Sequence, residues 1–288
     1  MKFPTFSKKF SYAFLASFAW AITIILARII LNNGENVFNL AFWVALLALP
    51  YWLFIFRKHF GELKNAPKIN WLIIITMGII STAGVNIVEV FALKYSTALN
   101  YSLLIRSVTL FTIIFSYFFL KEKITIKKLI LVILIFIGTF LLITNGQKVS
   151  FSLGDTFVLI EAILLSVGNG ILGKVATNKM SPKIASSASF LVGFLPITLI
   201  ALSKGVISIP QMPILVLIFA VVNVLIITFR FLAYKNATAS YVTMIFSLTP
   251  VMVFIMAVPF LGESITLIQI IGGILIILAG IFVEKLKI

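Results

Sequence analysis

The sequence predicts an all-α integral membrane fold, ten transmembrane helices arranged as two inverted five-helix repeats with both termini cytoplasmic. Three observations carry that prediction: apolar runs of span length fill the chain, basic residues collect in alternate loops, and the two halves align at a constant offset.

Hydrophobic residues make up 61% of the 288 positions and charged residues 11%, against about 45–50% and about 25% in soluble domains. A water-facing surface cannot be built from so few polar groups. About 20 apolar residues at 1.5 Å per residue cross a hydrocarbon core of roughly 30 Å. Runs of that length are read at 10–31, 39–56, 70–92, 97–120, 128–144, 154–175, 184–203, 212–233, 238–260 and 266–283. Loop chemistry separates them: Asn32 to Asn36 ends the first, Gly61 to Lys68 with Pro67 follows the second, and Asn145 to Lys148 follows the fifth. Lys2, Lys8 and Lys9 precede the first run, which is too long for the core of a cleavable signal and reads as a span.

Charge gives the orientation, because loops rich in Lys and Arg resist translocation. With the N-terminus inside, 17 basic residues fall on the cytoplasmic side and 4 (Arg28, Lys94, Lys148 and Lys204) on the other, while Arg106 and Arg230 lie within spans. The net charge of +15 is therefore juxtamembrane, and its scatter in short clusters argues against a nucleic-acid partner. His59, the only histidine, stands beside Arg57 and Lys58 and reads as a solvated loop residue. There is no cysteine, hence no disulfide or thiolate metal site. No Walker loop is present, and no His/Asp/Glu cluster has metal-ligand spacing. Gly168, Gly170 and Gly173 satisfy a dinucleotide-binding spacing only formally, since no strand precedes them. No cofactor is expected.

The halves, 1–146 and 147–288, resemble each other. Placing 91–143 over 232–284 at an offset of 141 matches Ala92-Leu93-Lys94 with Ala233-Tyr234-Lys235 and Thr97-Ala98 with Thr238-Ala239. The same register matches Glu122-Lys123-Ile124-Thr125 with Glu263-Ser264-Ile265-Thr266. Each half carries five spans, and an odd number inverts the second half relative to the first, as in many alternating-access transporters.

On these residues the chain resembles the drug/metabolite transporter superfamily, and within it the EamA-type transporters, built as ten helices from two repeats. The best-matched stretches are ALKYSTALNYSLLIRSVTLFTIIFSYFFLKEKIT and AYKNATASYVTMIFSLTPVMVFIMAVPFLGESIT, each opening on a small-residue turn and closing with a Glu just past the apolar run. Pro250 stands where the second repeat of such proteins has a mid-helix proline, whereas Thr109 stands at the matching place in the first; the bend of the fourth span is left open. The resemblance implies export or exchange of small metabolites, often amino acids, through a cavity between the repeats in a bacterial-type inner membrane. Uptake of a host metabolite such as S-adenosylmethionine is an alternative, and a membrane enzyme or lipid flippase is another of a different class. The expected partners are a small solute and the bilayer, with the chain a monomer or homodimer.

Ionisable groups inside a span are costly, so each implies a partner or a polar path. Arg106 and Glu161 fall at similar depth, about 10–15 Å below the outer boundary at 1.5 Å per residue, with Glu89 near the outer end of the third span. One reading has Arg106 engaging a carboxylate or phosphate while Glu89 or Glu161 meets an ammonium group or takes a coupling proton. The other has Arg106 and Glu161 as a structural ion pair. Arg230 lies near the inner end of its span and can snorkel. Asn86 shares a face with Glu89, Asn223 with Arg230, and Asn169 and Ser166 with Glu161; each serves as a solute contact or as interhelical glue. Trp20 and Tyr101 are candidates for stacking on a solute, with mid-span packing and the outer aromatic belt as the competing readings. Glu122 and Glu263 read as helix-end features.

Overall fold

The computed structural model describes residues 7–96, 98–147, 151–262 and 265–285; among these, the side chains of residues 82, 86, 87, 90, 93, 94, 98, 99 and 261 lie outside the description. All regular structure among the described residues is helical. The first span is α1 (Lys8–Asn32), begun by Ser7, whose hydroxyl accepts from the Phe10 N–H. The second is α2 (Val37–Lys64). The third comprises α3 (Lys68–Gly78), a π-helical segment (Ile79–Gly84) and α4 (Val85–Tyr95). The fourth is broken into α5 (Ala98–Leu104) and α6 (Ser107–Leu120), and the fifth is α7 (Ile126–Thr144).

In the second half, the sixth span is α8 (Leu153–Leu165), a π-helical segment (Ser166–Leu172) and α9 (Gly173–Lys179). The seventh and eighth are α10 (Pro182–Ser203) and α11 (Pro213–Asn236). The ninth is broken into α12 (Ala239–Phe246) and α13 (Thr249–Leu261), and the tenth is α14 (Leu267–Lys285). Among the described residues, nine stretches are long and apolar enough to cross a membrane. The third span is interrupted, its apolar helix Lys68–Ser81 being shorter and continued by α4.

The helices outrun the apolar runs where charge begins. Helix α2 continues to Lys64, so His59 is helical, partly buried, and its Nε2 atom has no hydrogen-bond partner. The expectation of a solvated loop histidine is thus corrected: backbone hydrogen bonding carries a helix beyond the hydrocarbon edge, and hydropathy alone does not mark its end.

The packing obeys a two-fold exchange of the halves. The first span packs on the eighth and the third on the sixth, while the second packs on the seventh, the fourth on the ninth and the fifth on the tenth. Swapping repeats maps this set of pairs onto itself. Lipid offers no hydrophobic drive between helices, so close backbone approach has to hold such pairs. At the α7–α14 crossing, a Cβ on Gly138 would lie 2.8 Å from the Gly272 carbonyl oxygen, and one on Gly272 would lie 2.6 Å from that of Gly138. Either side chain would force the fifth and tenth spans apart.

Acidic side chains tie the helix ends. Glu122 accepts from the N–H groups of Ala239 (2.7 Å) and Ser240 (3.2 Å) and from the Ser240 hydroxyl, capping α12 from the end of the fourth span. Glu62 does the same for α10 through the Ser181 backbone N–H and hydroxyl. Glu35 joins the first interhelical loop to the Gln211 N–H at 2.9 Å. The helix-end reading of Glu122 is therefore given a partner; Glu263, its counterpart, lies outside the described residues.

Candidate functional site

The fourth and ninth spans break at nearly equivalent places. Residues 105–106 form the first break and 247–248 the second, and at the offset of 141 Arg106 falls on Ser247. Pro250 at the start of α13 explains the second break, because proline removes a backbone donor. No proline stands in the fourth span. Its break is nevertheless present, so the bend that sequence left open is a feature of both repeats.

The two breaks face each other. The Thr109 hydroxyl contacts the Ser247 hydroxyl at 3.3 Å and the Thr243 carbonyl at 3.4 Å. A seam of hydroxyl pairs extends from there: Ser116 with Ser240 at 2.8 Å, Ser17 with Thr249 at 2.8 Å, and Thr112 donating to Ser166 at 2.9 Å. At the crossing lies a cavity lined by Trp20, Ile105, Arg106, Val108, Thr109, Thr243, Phe246 and Ser247. It offers about 30 Å³ to the centres of water-sized molecules, room for about two waters.

Arg106 is the charged group of that cavity. Its guanidinium carbon lies 5.5 Å from the centre of the Trp20 ring, and that ring meets Phe246 edge-on at 6.1 Å. Cation and ring attract, most strongly where water is excluded. Among the described residues no carboxylate is within ion-pair distance of Arg106, and its buried Nε atom has no hydrogen-bond partner. The structural Arg106–Glu161 pair is thereby corrected: the two residues fall at similar depth, but Glu161 turns away from the cavity to another partner.

That partner is Tyr101, whose hydroxyl donates to Glu161 at 2.9 Å and lies 3.5 Å from Glu89. Tyr101 packs with Ile105, Val158 and Ala162, so it is a bundle residue and not part of an outer aromatic belt. Glu161 is 2% exposed. Of the other candidates, Asn169 and Asn223 are not among the residues lining the cavity, and the side chain of Asn86 lies outside the described residues. Arg230 keeps a buried Nε without a partner, well along α11 from the cavity. Thr243, Phe246 and Ser247 went unnamed in the sequence reading, and Thr109 was named only as the counterpart of Pro250; the offset that places Arg106 on Ser247 was the signal available for them.

Hydrogen-bonded clusters tie helix ends on both sides of the bundle. At one end the Glu284 carboxylate accepts from the Ser7 N–H at 3.1 Å and from the Tyr241 hydroxyl, with the Lys9 ammonium 4.3 Å from the Tyr241 ring centre. At the other, Asp155 accepts from the Ser96 hydroxyl, from Asn100 at 2.8 Å and from the Ser152 N–H at 2.6 Å. Tyr241 and Asn100 are counterparts at the same offset, so matching positions tie opposite ends.

A multi-pass bundle in which two discontinuous helices cross at a small cavity holding one buried cation has the architecture of a membrane transporter. The chain belongs to the EamA-like transporter family, whose sequence pattern matches residues 8–144 and again 152–284. It is 28% identical over 286 residues to an uncharacterized transporter of Archaeoglobus fulgidus, covering 95% of this chain and 96% of that one. It is 27% identical to the uncharacterized transporter YyaM of Bacillus subtilis, covering 83% and 81%. A solved crystal structure superposes with a TM-score of 0.78 at 15% identity over 99% of this chain and 100% of the other, a likeness of fold.

Proposed function

We propose that the protein is a secondary transporter of small polar metabolites, with amino acids the leading class, working by alternating access in a bacterial-type inner membrane with both termini cytoplasmic. The observation that carries the solute assignment is the un-neutralised Arg106 guanidinium in a cavity where two broken helices cross. A cation held there without a counter-ion binds a carboxylate through charge-assisted hydrogen bonds. Trp20 and Phe246 cover the aliphatic part of such a solute, and Thr109, Thr243 and Ser247 supply oxygen acceptors for an ammonium group.

The cavity holds about two waters, and both ends are tied. This is the closed arrangement between two open ones. An amino acid enters when one tie releases and the repeats rock about the crossing. Transport is the work that membership of the EamA-like transporter family supports for such a site.

A thermal-shift screen of purified protein against the L-amino acids, nucleotides and S-adenosylmethionine tests the reading, because a ligand that binds only the folded state raises apparent stability. An amino acid should raise Tm in the wild type and leave Arg106→Ala unmoved. A shift by S-adenosylmethionine alone would replace the solute class, and a hit unaffected by Arg106→Ala would remove Arg106 from the site.

A further inference from the structure

The described acidic residues divide by the work they do. Glu35, Glu62, Glu122, Asp155 and Glu284 each accept at least one backbone N–H, and so hold helix ends or loops together. Glu89 and Glu161 accept none; the hydrogen-bonding partner of each among the described residues is the Tyr101 hydroxyl. They sit between α4, α5 and α8, away from the helix ends, where a structural carboxylate has nothing to cap.

The hydroxyl of Tyr101 carries one hydrogen, and the shorter contact directs it to Glu161. Glu89 is then left at 3.5 Å, the limit of a hydrogen bond. Glu161 is 2% exposed, and its Oε2 atom, buried with it, has no partner. A buried acceptor without a donor is rare and costly. Two carboxylates within reach of one oxygen, with no cation among the described residues against either, repel if both are ionised. The titratable groups facing Glu161 are Glu89 from α4 and Tyr101 from α5; Arg106, at the α5–α6 break, stands nearer Tyr101. The described parts of α6 and of the two π-helical segments bring no other.

We propose that Glu89 and Glu161, joined through Tyr101, form a proton-binding site separate from the Arg106 cavity, and that its occupancy is coupled to solute binding. A proton on the Glu161 carboxyl removes the buried charge, which Oε2 cannot share with any donor, and with it the repulsion. An alkali cation fits less well, since it requires several oxygens and the surroundings of Tyr101 are Leu104, Ile105, Val158 and Ala162. The coupling element is α5. This seven-residue helix carries Tyr101 on one face and ends at the break that holds Arg106, so a shift of Tyr101 between its two carboxylates moves the base of the solute site.

The coupling clause rests on the assignment of Arg106 to the solute, but the proton site does not, and the experiment separates them. Infrared difference spectra of the purified protein, without solute, should show a protonated-carboxyl C=O band that changes with pH. The band should be lost in Glu161→Gln and displaced in Tyr101→Phe and Glu89→Gln; if Glu161→Gln does not fold, the latter two carry the test. A spectrum identical in all variants overturns the proton site. In the second arm, the thermal shift produced by the amino acid found above should vary with pH in the wild type and flatten in Glu89→Gln. Equal pH dependence in both overturns the coupling. If no amino acid binds, the solute assignment fails while the infrared result still decides the proton site.

Discussion

The Arg106 guanidinium lies 5.5 Å from the centre of the Trp20 ring, which joins the break of the fourth span to the middle of the first. A cation held by an aromatic face and by no anion keeps its hydrogen-bond donors for something else. Such a contact contributes about 0.5–2 kcal/mol depending on solvent exclusion. Trp20→Ala should therefore weaken solute binding roughly 3- to 30-fold, and Trp20→Phe should recover part of it. Arg106→Ala should weaken it at least roughly tenfold, as expected for losing hydrogen bonds to a charged group. Isothermal titration with the amino acid that raises Tm measures both. An Arg106→Ala protein with wild-type affinity would place the solute elsewhere.

Glu122 caps a helix of eight residues, α12, through two backbone N–H groups and a hydroxyl. Glu122→Ala exposes those donors at a helix start, a loss of about 1–2 kcal/mol by comparison with other N-caps. The expected result is a lower Tm in detergent with solute affinity little changed, since Glu122 lies outside the cavity. Unaltered thermal stability would show that the cap contributes nothing.

The two closing clusters give opposite expectations. Tyr241→Phe removes the hydroxyl held by Glu284 at one end, and Asp155→Asn weakens the grip on Ser96, Asn100 and Ser152 at the other. A cysteine introduced at Val108, in the cavity wall, has no native thiol to compete with. In inside-out vesicles, a membrane-impermeant maleimide should label it faster when Tyr241→Phe is present, and in right-side-out vesicles when Asp155→Asn is. Acceleration from the same side by both changes would contradict the assignment of the clusters to opposite gates.

The same absence of cysteine gives a clean reading of topology. Single cysteines at the exposed positions Lys64, at the end of α2, and Lys204, in the turn after α10, fall on sides of opposite charge bias. Lys204→Cys should react in intact cells, and Lys64→Cys only after permeabilisation. The reverse pattern would invert the bundle.

The apolar runs were legible because the hydrocarbon slab demands a minimum apolar length, but hydropathy did not mark where each helix ends, as α2 running on to Lys64 shows. The break at Arg106 was not. A proline announces a break locally, as Pro250 does, but the fourth span breaks without one, where it crosses the ninth. Depth alone could bring Arg106 and Glu161 to one level; it could not say that they face different neighbours, because facing depends on helix rotation about the interrupted axis. Tyr101 was chosen for its ring, but it is its hydroxyl that meets Glu161 and Glu89. Asn169 and Asn223 were chosen as polar residues in greasy spans, a test that does not distinguish a cavity wall from a helix contact.

The hydroxyl seam between the fourth and ninth spans sets how those helices can move. A hydroxyl both donates and accepts, so a pair such as Thr109 and Ser247 has no fixed polarity, unlike an ion pair or an amide ladder. Thr109 already divides its contacts between the Ser247 hydroxyl and the Thr243 carbonyl one turn away. Sliding by part of a turn trades one partner for the next instead of stripping any group bare. Under the proposed rocking of the two halves, the crossing would serve as a slip plane, low in friction along its length yet resistant to separation.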